Sequence, residues 1–146
     1  GLRQVSLIAD YFSKYTVREG IWIKSNPVPM NGEYVYLSGI ERCVIIKKPS
    51  GTFNGFCKLP VYKYPIVDNQ IHDTEKPINL FREQILDLSN ENDLVFDACS
   101  GSGASAIASH IEKRNYIGCE LNKKYFDKAN KRLEQHQKQQ TLNFDV

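Results

Sequence analysis

The chain has 146 residues, 41% of them hydrophobic and 25% charged, with a formal net charge of +2. This length and composition are those of an ordinary globular domain with its own core, so we predict a single domain over residues 1–146. No apolar run approaches the roughly 18 residues that a membrane-spanning helix needs, and the N-terminus does not resemble a signal peptide. We therefore expect a cytoplasmic protein without a membrane span.

The charge is divided unevenly along the chain. Residues 1–70 contain nine Lys and Arg against five Asp and Glu, whereas residues 71–146 contain ten against twelve. A basic first half suits a polyanionic partner such as nucleic acid. A difference of this size also arises by chance, so the charge alone leaves both interpretations open.

The four cysteines show no spacing typical of a zinc or redox site. Cys43, Cys99 and Cys119 lie in apolar runs and are predicted to be buried, reduced thiols. The sequence therefore predicts no metal site.

In the first half of the chain, helical and extended patterns alternate with turn-rich stretches. Apolar residues at helical spacing predict a helix over 5–15. Short apolar runs predict strands at 20–24 and 42–48, separated by a turn-rich stretch at 25–39. Residues 49–72, rich in prolines, glycines and aromatics, are predicted to be irregular, and a loop of this length is usually functional or mobile.

The irregular segment and its flank combine basic and aromatic residues in a pattern that suits DNA. Lysines can contact phosphates, and aromatic rings can stack on bases. The candidate phosphate contacts are Lys47, Lys48, Lys58 and Lys63, interleaved with Phe53, Phe56, Tyr62 and Tyr64. We predict a DNA-recognition segment at 49–72; the alternative is a solvated loop with a few core aromatics.

In the second half, helices and strands alternate. Pro77 suits the first turn of a helix, and a short strand at 93–97 is followed by a glycine-led helix at 101–113. A second strand at 115–120 leads to Asn122, which can cap a last helix. This succession predicts an α/β fold with a parallel, doubly wound, Rossmann-like sheet.

The first of these two strands ends in Asp97 and runs into a glycine-containing loop. Glycines let a ligand approach the backbone closely, and the helix N-terminus offers free amide groups to a negative group. The second strand ends in Glu120, whose carboxylate can accept both hydrogen bonds of a ribose diol, as in dinucleotide-binding folds. This order predicts a nucleotide-like cofactor. The alternative for Glu120 is a solvated acid at a helix start.

Several motifs resemble, in order and spacing, those of bacterial DNA amino-methyltransferases of the beta arrangement. Residues 72–77 (HDTEKP) are similar to the family's H-P-T-x-K-P segment, and residues 97–103 (DACSGSG) to its D-P-F-x-G-S-G loop. Residues 116–120 (YIGCE) resemble its F-I-G-x-E strand, and residues 22–29 (WIKSNPVP) its W-x-K-x-N-P-x-P stretch. The resemblance covers nearly the whole chain. It departs from the family at Asp73 and at Ala98-Cys99, where the family has proline and Pro-Phe.

The resemblance implies an AdoMet-dependent methyltransferase fold and transfer of a methyl group from S-adenosyl-L-methionine (AdoMet) to an exocyclic amine in double-stranded DNA. It favours adenine N6 over cytosine N4, in a restriction-modification or phage context. Thr74 and Lys76 would close over the methionine end of the cofactor. The cofactor-binding residues carried over by motif are Thr74, Lys76, Asp97, Ala98, Cys99, Ser100, Gly101, Ser102, Gly103 and Glu120.

The family's catalytic motif, Asp/Ser/Asn-Pro-Pro-aromatic, is not found within residues 1–146. We expect it upstream of Gly1, so the catalytic residues are unassigned and this chain alone is not expected to methylate DNA. In the family, the catalytic strand lies beside the cofactor-loop strand. The sheet is therefore predicted to be incomplete at its N-terminal side and to recruit the missing segment or a second copy of the chain. Residues 1–48 would belong to the catalytic-side subdomain and residues 73–138 to the AdoMet-binding subdomain.

Two other functions fit part of the pattern. A nicotinamide-dependent Rossmann oxidoreductase would share the glycine loop, but the third glycine is missing and the Thr-Glu-Lys-Pro element would be unexplained. A truncated or degenerate methyltransferase would bind AdoMet or DNA without turnover, which the absent motif favours.

The tail at 139–146 resembles the Gln-x-x-Leu-x-Phe peptides that dock into the bacterial sliding clamp. Gln139, Leu142 and Phe144 would be its anchors. The alternative is a frayed terminus without a partner.

Overall fold

The computed structural model describes residues 2–29, 32–68 and 70–142. It consists of two compact units, Gly1–Ile66 and Val67–Val146. The boundary after Ile66 differs from the boundaries expected at residues 48 and 72, because a strand within that segment belongs to the sheet of the first unit.

The first unit is a three-stranded sheet with one helix. α1 spans Leu2–Tyr11, β1 Thr16–Lys24, β2 Ile40–Lys47 and β3 Val61–Tyr64. β1 is the central strand and pairs with β2 in antiparallel and with β3 in parallel orientation. The helix predicted over 5–15 is thus present but begins and ends earlier in the chain.

Trp22 anchors the middle of this sheet. Its side chain is buried, and its indole N–H donates to the carbonyl of Tyr64 at 2.9 Å. Tyr62, its register partner on β3, is also buried. Beyond the strand ends, the side-chain oxygen of Asn26 accepts a hydrogen bond from the Ile66 amide at 2.6 Å. The side chains of Trp22 and Asn26 therefore hold β3 and the residues after it against β1.

β3 overturns the prediction that residues 49–72 are irregular throughout. The strand has only four residues, and prolines at positions 60 and 65 bracket it. Its alternation is too short for periodicity to separate it from a loop. Residues 48–60 do contain only turns, bends and irregular backbone.

The second unit alternates helices with parallel strands. Its elements are α2 (Ile78–Leu88), β4 (Leu94–Asp97), α3 (Ala104–Ile111), β5 (Asn115–Gly118) and α4 (Lys123–Leu142). β4 and β5 pair in parallel, and α3 is the crossover between them. The α/β prediction is confirmed.

The two helix starts predicted from the sequence, at Pro77 and Asn122, are present in the structure. Pro77 is the N-cap of α2, one position before the first helical turn. The side-chain oxygen of Asn122 accepts a hydrogen bond from the Lys124 amide at 3.0 Å and so caps α4. The loop that precedes α4 is therefore fixed at its helical end.

α3 is the buried centre of the second unit. Ile107 and Ala108 are 0% exposed, the small side chains of Ala104 and Ala106 are also buried, and α2 packs on this helix. The hydroxyl of Ser105 lies 3.1 Å from that of Tyr116. α3 therefore covers the sheet face that carries Tyr116.

The opposite face of the two-stranded sheet carries apolar side chains without cover. Leu94, Phe96 and Ile117 are 60%, 64% and 51% exposed, and strand alternation places them on the face away from α3. Among the described residues, β4 pairs with β5 and with no other strand. This agrees with the predicted incomplete doubly wound sheet.

Within the described ranges, no helix combines the length and the apolar character required to cross a bilayer.

Candidate cofactor site

A glycine loop joins the end of β4 to the start of α3. Gly101 and Gly103 have φ angles of +49° and +73°, in the left-handed region that side chains with a Cβ avoid. A Cβ on Gly103 would also lie 3.0 Å from the Cβ of Ala129 on α4. The loop can therefore turn sharply and pack directly against α4 only with glycine at this position.

Asp97, the last residue of β4, ties the loop to α3. One carboxylate oxygen accepts a hydrogen bond from the Cys99 amide at 3.0 Å, and the other accepts from the Ser105 hydroxyl at 2.5 Å. Burial raises the pKa of the neighbouring Tyr116 hydroxyl, so this group stays neutral beside the carboxylate. A carboxylate has about four acceptor positions, so the observed bonds leave capacity for a cationic ligand.

Glu120, two residues after β5, faces the same loop. Its oxygens accept hydrogen bonds from the Asn122 amide at 2.8 Å and from the Gly101 amide at 2.9 Å. Donation by the Asn122 amide is the largest cause that lowers the pKa of Glu120 below its usual range, followed by donation from the Gly101 amide and by the electrostatic effect of the nearby His72. The carboxylate is therefore ionised at neutral pH and bonded to the glycine loop, which argues against a merely solvated acid.

The segment before α2 is folded by its own hydrogen bonds. The ring Nδ1 of His72 accepts from the Thr74 amide at 3.2 Å and lies 3.2 Å from its hydroxyl. The Lys76 ammonium donates to the Thr74 carbonyl at 3.2 Å, and the His72 ring lies 4.3 Å from that of Tyr125 on α4. These contacts give residues 71–77 a defined shape at the edge of the glycine loop.

These segments enclose one open cleft of about 250 Å³ in the second unit. Eight of the ten predicted cofactor residues line it, whereas Ala98 and Gly103 do not. The lining residues are His72, Thr74, Glu75, Lys76, Phe81, Asp97, Cys99, Ser100, Gly101, Ser102, Ala104 and Glu120.

Four lining residues were not assigned to the site from sequence. His72 is the first residue of the matched H-P-T-x-K-P segment, which is a signal for it, whereas Glu75 is the variable position of that segment and has none. In the sequence, Phe81 and Ala104 are apolar residues of predicted helices, and the local pattern does not distinguish them from core residues. Phe81 gives the cleft an aromatic wall.

The predicted burial of the cysteines is wrong for two of the three. Cys99 and Cys119 are exposed and Cys43 is half-buried, because the first two follow their strands into loops at the cleft edge. Over the ranges that the structure describes, no group of three or more His, Cys, Asp and Glu side chains is arranged to hold a metal ion.

The candidate DNA-contacting lysines all lie in the first unit. Lys48, Lys58 and Lys63 are exposed, whereas Lys47 is half-buried and donates weakly to the carbonyls of Lys48 and Pro49. Of the interleaved aromatics, Phe53 and Phe56 are exposed. Tyr62 is 3% exposed in β3, so the prediction that it stacks on bases is wrong.

The tail proposed to bind the sliding clamp falls at the edge of what the structure describes. Phe144 and the side chain of Leu142 lie outside the described residues.

The α/β fold, the strand–glycine loop–helix turn and the acid after the next strand define a nucleotide-cofactor-binding class of protein. A sequence profile of the N6/N4 type, described as DNA methylase, matches residues 14–131. The chain belongs to this DNA methylase family. Family membership excludes the nicotinamide-dependent oxidoreductase.

Individual relatives agree with this assignment. Type II methyltransferase M.HinfI of Haemophilus influenzae is 31% identical over 152 aligned positions, which cover 89% of this chain and 42% of that protein. DNA adenine methyltransferase YhdJ of Escherichia coli is 38% identical over 51% of this chain and 26% of its own length. The chain thus spans less than half the length of these curated relatives.

A solved relative supports the fold. The crystal structure of the M1.HpyAVI–SAM complex superposes with a TM-score of 0.78 and 33% identity, covering 91% of this chain and 71% of that one. That protein was solved with the cofactor that the sequence predicts for this chain.

Proposed function

We propose that this chain is the AdoMet-binding part of a DNA amino-methyltransferase. The observation that carries the proposal is the cleft where the glycine loop, the Thr-Glu-Lys-Pro segment and Glu120 meet. The cofactor found in the M1.HpyAVI complex supports AdoMet as the ligand.

The donor set of the cleft fits the chemical groups of AdoMet. Glu120 is ionised, and two of its acceptor positions are used by backbone amides, so further positions can take ribose hydroxyls. The Asp97 carboxylate is likewise available to an ammonium group, and Phe81 offers an apolar wall to a purine ring. Thr74 and Lys76 line the same cleft and would close over the methionine end, whose ammonium group Asp97 would accept.

The bound cofactor would supply an electrophilic methyl group. The residues of this chain would bind and orient it; the acceptors that make a base amine nucleophilic belong to the Pro-Pro-aromatic motif, which residues 1–146 do not contain. The second candidate is therefore a module that binds AdoMet or DNA without turnover. Transfer of labelled methyl groups to duplex DNA by this chain alone would remove that candidate.

For the target base we propose adenine N6, with cytosine N4 as the alternative. The relative named a DNA adenine methyltransferase supports adenine, whereas the family profile covers both chemistries. A restriction-modification setting is supported by the name of M.HinfI. Three features remain predictions: a cytoplasmic location, completion of the sheet by a homodimer or an N-terminal segment, and sliding-clamp binding. Sedimentation would test the homodimer, and binding of a tail peptide to purified clamp would test the clamp contact.

Replacing Glu120 with alanine is expected to weaken AdoMet binding roughly ten- to a hundredfold, because hydrogen bonds to a charged acceptor are lost. The measurement is calorimetric titration of AdoMet into the chain. Glu91→Ala is the matched control, since Glu91 is exposed, pairs with Lys113 and does not line the cleft. Unchanged affinity in Glu120→Ala would rule out this carboxylate as the ribose acceptor.

Neutralising Lys48, Lys58 and Lys63 together is expected to flatten the salt dependence of DNA binding. Each lost phosphate contact should reduce the slope of log K against log salt by about 0.9. The measurement is a salt titration of binding to duplex DNA. Replacing Lys124, Lys128 and Lys131 on α4 removes the same charge from another exposed surface and controls for net charge. If both triple variants change the slope equally, the segment makes no specific contact.

A further inference from the structure

An ion pair between Glu75 and Arg132 connects the segment before α2 to α4. The Glu75 side chain is 1% exposed, and one of its oxygens lies 2.6 Å from a guanidinium nitrogen of Arg132. Its other oxygen accepts a hydrogen bond from the Ile71 amide at 3.0 Å. The same guanidinium nitrogen donates to the Ser102 carbonyl at 3.3 Å. One arginine thus reaches both the segment before α2 and the glycine loop.

The rest of the same α4 face contacts the same two segments. Tyr125, Ala129 and Arg132 follow each other at helical spacing and share that face. Tyr125 packs on the His72 ring, and Ala129 packs against the loop at Gly103. α4 therefore supports both residues 71–77 and the glycine loop.

The charge of the pair matters because Glu75 has almost no access to water. A buried carboxylate that loses its cation is left uncompensated, and breaking such a pair costs far more than losing an exposed one. The Glu75 oxygen that faces Arg132 makes no hydrogen bond, so the pair acts through charge, while the same guanidinium nitrogen donates to the Ser102 carbonyl. The arrangement therefore favours one relative position of the glycine loop and residues 71–77.

We propose that Glu75 and Arg132 are positioning residues that hold the cleft in its ligand-binding shape. The inference rests on the proposed function, since the ligand is taken to be AdoMet. Arg132 does not line the cleft, so its effect on affinity passes through Glu75 and the Ser102 carbonyl.

The test compares two ion pairs of equal length in the same unit. Arg82 on α2 contacts Glu112 at 2.6 Å and neither residue lines the cleft, so Arg82→Met is the matched control for Arg132→Met. In calorimetric titration with AdoMet, loss of folded protein lowers the binding stoichiometry, whereas loss of positioning raises the dissociation constant. We expect the dissociation constant to rise by at least about tenfold in Arg132→Met, to stay within about twofold of the original in Arg82→Met, and to recover in part in Arg132→Lys.

Hydrogen–deuterium exchange on the ligand-free chain separates this inference from the proposed function. Faster exchange at 71–76 and 100–103 in Arg132→Met, but not in Arg82→Met, is the expected result. Equal exchange and equal dissociation constants in the two variants would overturn the positioning role. If the unaltered chain fails to bind AdoMet while Arg132→Met still loosens these segments, the positioning role stands and the proposed function falls. If exchange is also unchanged, both are wrong.

Discussion

Replacing Gly103 with alanine is expected to destabilise the second unit by about 2–5 kcal/mol and to abolish detectable AdoMet binding. The φ angle of +73° costs a residue with a Cβ about 1–2 kcal/mol. The added Cβ would lie 3.0 Å from that of Ala129, and overpacking costs a further 1–3 kcal/mol or so. Relief of either strain moves the loop away from α4 and distorts the cleft.

The two causes can be separated with a second substitution. Ala129→Gly removes the side-chain contact but leaves the backbone strain, so Gly103→Ala combined with Ala129→Gly should recover only the packing part. A double-mutant cycle subtracts the cost of glycine within α4. The measurement is denaturant unfolding followed by far-UV circular dichroism. Wild-type stability in Gly103→Ala would show that the loop can adopt another conformation at this point.

The parts of the site that sequence could predict are those encoded locally. The glycine loop and Glu120 follow from a strand that ends in an acid, a glycine turn, a helix and a second acid, all within one stretch of chain. Eight predicted residues do line one cleft. The strand end, the glycine turn and the helix start are each determined by residues close in sequence, so the sequence pattern is enough to predict them.

What sequence could not predict depends on partners far along the chain. Glu75 occupies the variable position of its motif, and its cation stands on the last helix, so no local pattern links them. β3 is likewise defined by its pairing with β1 and not by its own four residues. The exposure of Cys99 followed from where the strand stops, which apolar runs locate only within a few residues.

Replacing Ile107 with alanine is expected to cost about 2–5 kcal/mol of stability, because the side chain is 0% exposed at the centre of α3 and its removal leaves a cavity. Ile107→Val should cost about 0.5–1.5 kcal/mol for the same reason. The matched control is Ile117→Ala on the uncovered sheet face. Ile117 is 51% exposed, so its truncation should cost less than about 1 kcal/mol.

Two spectroscopic probes show which of the two units loses stability. Trp22 is the only tryptophan of the chain and lies in the first unit, so its fluorescence follows that unit, while circular dichroism is dominated by α2, α3 and α4 of the second. In Ile107→Ala, the circular-dichroism transition should shift to lower denaturant by more than the fluorescence transition does. If Ile117→Ala proves as costly as Ile107→Ala, the sheet face carrying Leu94, Phe96 and Ile117 is covered in solution, and the sheet is more complete than the described residues indicate.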